Sequence, residues 1–263
     1  MITVLGASGF VGSEVVRHLE RSGADFDAPP RDADLRGRDL GHVIYCIGLT
    51  SDFRERPYDT VDAHVCKLLE IVRNCTFESL VYTSSTRLYI GEEGVGREDN
   101  DLRVNPLQPE DIYNLSKATG ESIALSLGTK GRVARLSNVY GPEQRHNFLS
   151  MIVEEALTRG AITLRSALSS ERDYVSVADV AMLLVKIALQ GTQRIYNVVS
   201  GENLTNGEVT AAIAKVTGCT VTVLPDAQPV IFPRFDNTRV RTEFDFTPAR
   251  LLEDLPSLLE SRA

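Results

Sequence analysis

Tyr113 and Lys117 stand four residues apart in the segment Asp111-Ile112-Tyr113-Asn114-Leu115-Ser116-Lys117-Ala118. In a helix that spacing puts a phenol and an ammonium on one face. A phenol ordinarily titrates near 10, so proton exchange at neutral pH needs neighbouring positive charge that favours phenolate, and Lys117 is a source of it. Upstream, Thr83-Ser84-Ser85-Thr86 closes an apolar run with hydroxyls that could hold a reacting oxygen during proton transfer. Tyr-x-x-x-Lys by itself is more often just part of an amphipathic helix, so its meaning depends on what surrounds it.

The surroundings begin with Gly6-Ala7-Ser8-Gly9-Phe10-Val11-Gly12, which lies between a short apolar run, Ile2 to Leu5, and an amphipathic stretch, Ser13 to Arg21. A strand, a glycine turn and a helix in that order form a dinucleotide cradle: the first glycine permits the turn, the second admits the pyrophosphate, and the third allows close packing. Amides at the helix start then face the phosphates. The acidic residue that usually ends the second strand and binds a ribose is missing, its position falling at Pro30, with Arg31 next. Arg31 can pair with a 2′-phosphate, which favours NADP over NAD, or it can be a solvated loop charge.

Elements that would position these groups recur along the chain. Candidate strands at Val43 to Ile47, Ser79 to Thr83 and Arg132 to Leu136 alternate with candidate helices at Val61 to Arg73 and Pro109 to Leu127. Continuous apolar strands interleaved with helices predict an α/β fold, a Rossmann doubly wound parallel sheet. The Pro-, Asp- and Arg-rich stretch from Gly23 to Gly41 has room for one short strand. Beyond Pro142, helices at Phe148 to Thr158 and Val177 to Gln190, strands around Ile162 and Tyr174, and a strand at Ile195 to Val198 predict a smaller α/β substrate-binding lobe. Thr205 with Glu208 predicts a capping box for a helix ending near Gly218, and Thr247-Pro248 the opening of a last helix. The expected division is 1–142 for the dinucleotide, with later segments returning to it, and 143–263 mainly for substrate.

Taken together, the glycine trio, the Thr83-Ser84-Ser85 strand end and Tyr113-x-x-x-Lys117 resemble the extended short-chain dehydrogenase/reductase family, also called the NAD-dependent epimerase/dehydratase family, over nearly the whole chain. The resemblance implies that Tyr113 is the general acid/base, that Lys117 lowers its pKa and binds the nicotinamide ribose, and that Ser85 bonds the substrate oxygen with Ser84 or Thr86 nearby. Implied cofactor contacts are Gly6, Ser8, Gly9, Phe10, Val11, Gly12, Arg31, Cys46, Ile47, Gly48 and Thr83, together with Tyr113 and Lys117. Arg135-Leu136-Ser137-Asn138-Val139-Tyr140-Gly141-Pro142 is similar to the family's link between cofactor site and substrate lobe, with Asn138 facing the substrate. Arg172-Asp173-Tyr174-Val175 is similar to the segment nucleotide-sugar enzymes use near the substrate diphosphate, where Arg172 suits a phosphate; an Arg/Asp structural pair is the competing interpretation. Arg234 and Arg239 are weaker phosphate candidates. The chain departs from the pattern at Asp62-Ala63-His64-Val65-Cys66, where the family commonly has Asn-Val-x-Gly-Thr, and at Cys46-Ile47-Gly48, where it commonly has small alanines.

The expected activity is a nucleotide-sugar oxidoreductase, with a 4-keto reductase preferred and a 4-epimerase that retains NAD as alternative. A dehydratase is disfavoured because Thr86-Arg87 follows Ser85 where those relatives carry acidic residues. A reductase of a non-sugar carbonyl and a non-catalytic NADP-binding regulator remain open. With a net charge of -8 in 263 residues, a phosphate-tracking nucleic-acid surface is disfavoured. No apolar run approaches the ~18 residues of a membrane span, and an apolar run starting at Ile2 leaves no room for a leader, so the expected compartment is the cytoplasm. The four cysteines, Cys46, Cys66, Cys75 and Cys219, form no paired motif and are expected as reduced, buried thiols. Scattered histidines at 18, 42, 64 and 146 predict no metal site. A homodimer packed through the helices at Val61 to Arg73 and Pro109 to Leu127 is implied by the family.

Overall fold

The computed structural model describes residues 1–49, 52–91 and 94–262. In chain order the first part holds β1 (Ile2–Leu5), α1 (Phe10–Ser22), β2 (Phe26–Asp27), β3 (His42–Tyr45), α2 (Pro57–Val61), a π-helical turn at Asp62–Cys66, α3 (Lys67–Asn74), β4 (Ser79–Ser85), β5 (Val95–Gly96), α4 (Ile112–Leu125), β6 (Gly131–Leu136) and β7 (Asn138–Tyr140). Next come α5 (Phe148–Arg159), β8 (Ala161–Ser166), β9 (Glu171–Ser176), α6 (Val177–Gln190), β10 (Ile195–Val198), β11 (Asn203–Thr205), α7 (Asn206–Thr217), β12 (Thr220–Gln228), β13 (Arg234–Phe235), α8 (Thr238–Phe244) and α9 (Leu251–Glu260).

Six strands form one sheet in the order β10-β6-β4-β3-β1-β2, parallel throughout. Its strands are apolar on both faces because both are covered. On one face α1 and α6 pack Val15, Leu19, Val180, Leu184 and Ile187 against Val4, Ile44 and Val81. On the other, α3 and α4 bring Leu68, Ile71 and Ala124 to Val43, Tyr45 and Tyr82. A separate core of Leu149, Ile152, Ile162, Tyr174, Val209, Ile213, Leu255 and Leu258 holds the smaller lobe. Residues beyond 142 serve both parts: α6 and β10 complete the sheet, while α5, β8, α7 and α9 build the lobe.

The helix at Val177–Gln190, the strand at Ile195–Val198 and the Thr205/Glu208 capping box stand where the sequence predicts them. Thr247-Pro248 does not open the last helix. Asp179 accepts the Ala249 amide at 2.9 Å, which ties this stretch down as coil, and α9 starts at Leu251. The helix expected from Val61 is interrupted by the π-helical turn, a feature found often at functional sites. Cys66, within it, is exposed rather than buried, whereas Cys219 is buried and Cys46 and Cys75 are intermediate; all four are free thiols. Among the described residues no helix is long and apolar enough to cross a membrane.

Candidate active site

The glycine turn is built by close approach. Gly6 has φ +87°, and a Cβ there would lie 2.8 Å from the Cys46 carbonyl carbon; at Gly12 it would lie 2.2 Å from the Gly6 oxygen. Gly9 caps α1 without any side-chain hydrogen bond, and the first turn of α1 carries no acidic residue. The amides of Phe10, Val11 and Gly12 are thus left for an anion at the positive end of the helix dipole. Ser8 is exposed beside them. Leu5, Gly6, Pro29, Pro30, Leu35, Ile47 and Ile71 line a cleft that opens from the turn together with the polar Arg31, Arg36, Lys67, Glu70 and Asn74, a mixed lining suited to an adenosine. The second strand does end on an acidic residue: β2 stops at Asp27, three residues before Pro30, where the sequence places its end, because the Pro- and Asp-rich stretch leaves room for only two strand residues. Asp27 pairs with Arg38 and Asp34 with Arg36, whereas among the described residues Arg31 makes no ion pair.

Beside the turn, the end of β4 and the first turns of α4 bring the hydroxyls to the phenol and ammonium. Lys117 Nζ donates to the Thr83 carbonyl at 2.9 Å, and Thr83 Oγ1 donates to the Tyr45 carbonyl at 2.8 Å. Lys117 is 4% exposed, and burial brings it down to about 7, with Glu121 and Cys46 pulling the other way. Burial pushes the Tyr113 phenol up; a hydrogen bond from the Ser85 hydroxyl and the charge of Arg87 act against it. Arg87 is a further cation near the phenol, its Cζ 6.0 Å from the Tyr113 ring centroid. Ser85 also accepts the Arg87 amide at 3.1 Å, Thr86 donates to the Leu136 carbonyl at 3.3 Å, and the buried Ser84 hydroxyl has no hydrogen-bond partner among the described residues.

One residue of this centre went unassigned in the sequence. His64, in the π-helical turn, is fully buried, with its ring edge against Tyr113 at 5.3 Å between centroids. Leu49 N–H donates to its Nε2 at 3.3 Å, its Nδ1 bonds Ser116 Oγ at 2.8 Å, and Ser116 Oγ donates to the Tyr113 carbonyl at 2.9 Å. Since Leu49 can only donate, the proton sits on Nδ1. Burial and the Lys117 charge bring His64 down to about 2, so the imidazole is neutral. A Cβ on Gly48 would come within 3.2 Å of Nε2 and 3.4 Å of Lys117 Nζ, and His64 ties the loop after β3 to α4 through Leu49 and Ser116. The sequence signal was the departure from Asn-Val-x-Gly-Thr, legible as a change but not as a role.

A buried ion pair steadies the same helix: Arg135 Nη2 on β6 meets Glu121 Oε2 on α4 at 2.7 Å, and Arg135 also donates to the Tyr89 hydroxyl at 2.7 Å. Asn138 and Arg172 belong to a different network. Asn138 Nδ2 donates to the Asp173 carbonyl at 2.9 Å, and the Asp173 carboxylate accepts from Ser137, Ser200 and Gly201. Arg172 is not paired with Asp173; its Nη1 donates to Asn206 Oδ1 at 2.8 Å and its guanidinium lies 4.1 Å from the Phe148 ring centroid. Arg239 is committed to Asp99 at 2.5 Å and to the Ile195 carbonyl, and Arg234 is exposed on β13.

Comparison with known proteins meets this geometry. The chain is 26% identical, over a 300-residue alignment covering 95% of it and 92% of the relative, to dTDP-4-dehydro-6-deoxy-D-allose reductase of a Streptomyces species. It is 28% identical over 303 aligned residues to dTDP-glucose 4,6-dehydratase of Streptomyces griseus, covering 96% and 90%. In fold it is similar to the UDP-glucose 4-epimerase of Thermus thermophilus, solved as a complex with NAD, with a TM-score of 0.80 and 22% identity over 99% of this chain and 98% of that one. The model for the NAD dependent epimerase/dehydratase family matches residues 2–199, most of the chain and all of the elements that carry the cradle, Ser85, Tyr113 and Lys117, and the chain belongs to that family.

Proposed function

We propose that this protein is an NAD(P)-dependent oxidoreductase of nucleotide-activated sugars that reduces a 4-keto group, with Tyr113 as the acid that protonates the new alkoxide. The observation that carries this is the buried Tyr113, with Arg87 centred 6.0 Å from its ring centroid and Ser85 drawing its pKa down, in a chain whose glycine turn brings Gly6 and Gly12 into close contact and leaves the first-turn amides of α1 for a diphosphate. A nicotinamide cofactor supplies the hydride when bound. Gly6, Ser8, Gly9 and the amides of Phe10 to Gly12 would hold its diphosphate, Cys46, Ile47 and Gly48 would lie under it, and Lys117 and Thr83 would meet its ribose. Arg31, without an ion-pair partner among the described residues and lining the adenosine cleft, supports NADP over NAD, and Asp27 at the end of β2 has its carboxylate taken up by Arg38.

Ser85 orients the substrate oxygen and hands charge control to the phenol: its hydrogen bond favours phenolate, so the proton leaves Tyr113 as alkoxide forms. Ser84, buried and unpartnered among the described residues, and Thr86 lie beside it. Asn138 and Arg172 would bind the sugar-nucleotide end, with Arg172 on its diphosphate. Residues 1–142 with the returning α6 and β10 would bind the dinucleotide, and the lobe within 143–263 the sugar nucleotide. We assign the reaction to the cytoplasm and the assembly to a homodimer packed through the segment Val61 to Arg73, which holds α3, and Pro109 to Leu127, which holds α4.

The test is to identify the nucleotide that copurifies and then follow NADPH and NADH oxidation with 4-keto nucleotide sugars. Turnover is expected, and Tyr113→Phe should lower kcat by about 10²- to 10⁴-fold with cofactor affinity unchanged. Tightly held NAD with interconversion of sugar epimers and no net oxidation would replace the reductase with an epimerase.

A further inference from the structure

Two guanidiniums face the ring of Phe53. Arg54 Cζ lies 4.6 Å and Arg87 Cζ 5.3 Å from its centroid. Phe53 is 3% exposed and packs on Tyr113, with ring centroids 5.1 Å apart, so this cationic pair borders the reacting phenol. One carboxylate answers both: Glu110 takes a 2.8 Å contact from Arg54 and leaves Arg87 at 3.8 Å. Arg87 Nε is buried with no hydrogen-bond partner among the described residues. A buried donor left unmade costs on the order of 1–3 kcal/mol, more on a charged group, unless an acceptor is brought to it.

We infer that Arg87 forms an anion subsite next to Tyr113, and that the sugar acted on carries a carboxylate near its reacting carbon, as a nucleotide-activated uronic acid does. The inference rests on the nucleotide-sugar function proposed above. A guanidinium held against an aromatic face offers two parallel N–H donors to a carboxylate. Its centre lies 6.0 Å from the Tyr113 ring centroid, on the ring that bears the phenol. A neutral hexose would leave Arg87 with only the 3.8 Å contact to Glu110, and its Nε without an acceptor. The diphosphate has its own partner in Arg172, which stands in a different network with Asn206 and Phe148. Charge balance matters as well: a sugar carboxylate beside the phenol would oppose phenolate, and Arg87 cancels that effect at the point where it arises.

The experiment is calorimetric titration of the NAD-loaded protein with UDP-glucuronate, UDP-glucose and UDP, repeated with the dTDP series, for the unmodified chain, Arg87→Met and Arg87→Lys. The uronate should bind about ten-fold or more tightly than the hexose on the same nucleotide. Arg87→Met should remove that preference while changing hexose affinity little, and Arg87→Lys should keep part of it. Thermal denaturation checks that the variants fold, and Arg87→Gln stands in with the same expectation if Arg87→Met does not. Equal affinity for uronate and hexose would overturn the subsite, and so would an equal loss for both in Arg87→Met, which would put Arg87 on the diphosphate. If neither sugar nucleotide binds better than the bare nucleotide, the nucleotide-sugar function itself fails and the subsite falls with it.

Discussion

Lys117 is held where a lysine is least comfortable. It is 4% exposed, its Nζ donates to the Thr83 carbonyl, and burial brings it down to about 7 from an ordinary 10.5. The unfolded chain therefore binds a proton that the folded chain gives up between those values, and stability rises with pH across that window. Below about pH 7 the folded protein carries the full cost of a buried ammonium; above 10.5 it carries none. Lys117→Met should thus raise the melting temperature of nucleotide-stripped protein at pH 7 while abolishing turnover, and the gain should shrink as pH rises toward 10, as scanning calorimetry across that range can test. A melting temperature lowered at every pH would mean that the bond to Thr83 outweighs the buried charge. At this scale the sequence was readable where chemistry is local: Tyr113 and Lys117 share a helix face by spacing alone. Arg87 was legible only as a basic residue after Ser85 where dehydratases carry acids, because its closeness to the phenol ring depends on how β4 and α4 pack; the Ser116 hydroxyl that meets His64 from a distant segment left no signal.

The elements show a similar division. The turn between β1 and α1 works because two backbones touch: a Cβ on Gly12 would lie 2.2 Å from the Gly6 oxygen, too close for anything but a shift of the helix start. Gly12→Ala should cost about 1–3 kcal/mol in stability, as overpacking does. It should also weaken NAD(P)H binding, seen as a lower melting temperature together with a higher Kd by fluorescence titration. If affinity were unchanged, the first-turn amides would not be holding the diphosphate. This turn was legible because glycines mark close approach, as were α6, from its apolar stripe, and α7, from its reciprocal Thr205/Glu208 cap. The π-helical turn at Asp62–Cys66 was not: one extra residue in a helix leaves the apolar stripe of Leu68 and Ile71 nearly intact. Pro248 misled because a proline that suits a helix start also suits the coil that Asp179 pins through the Ala249 amide.

For the whole molecule, the question is how two cores make one site. β6 ends at Leu136 and β7 begins at Asn138, so the sheet that carries β4 passes into the smaller lobe through Ser137. Ser137 donates to the buried Asp173 carboxylate, which also takes the Ser200 and Gly201 amides from the loop after β10. That carboxylate fixes β9 against the sheet, and Arg172 is its neighbour on the same strand. Arg172 is therefore registered to the end of β6 through covalent and hydrogen-bonded links, while its guanidinium lies 4.1 Å from the ring centroid of Phe148 on α5 and 5.7 Å from that of Phe232. If it binds the diphosphate, its charge acts on ground and transition states alike, since that end of the substrate does not react. Arg172→Met keeps much of the apolar stem against Phe148 and removes the charge and the donors. It should raise KM for the nucleotide sugar about ten-fold or more, leave kcat within a few-fold, and leave NAD(P)H affinity unchanged, as steady-state kinetics and cofactor titration can resolve. A fall in kcat at constant KM would instead make Arg172 part of the frame that aligns the lobe with Tyr113, because loss of alignment weakens the reacting step and not the grip on the remote phosphates.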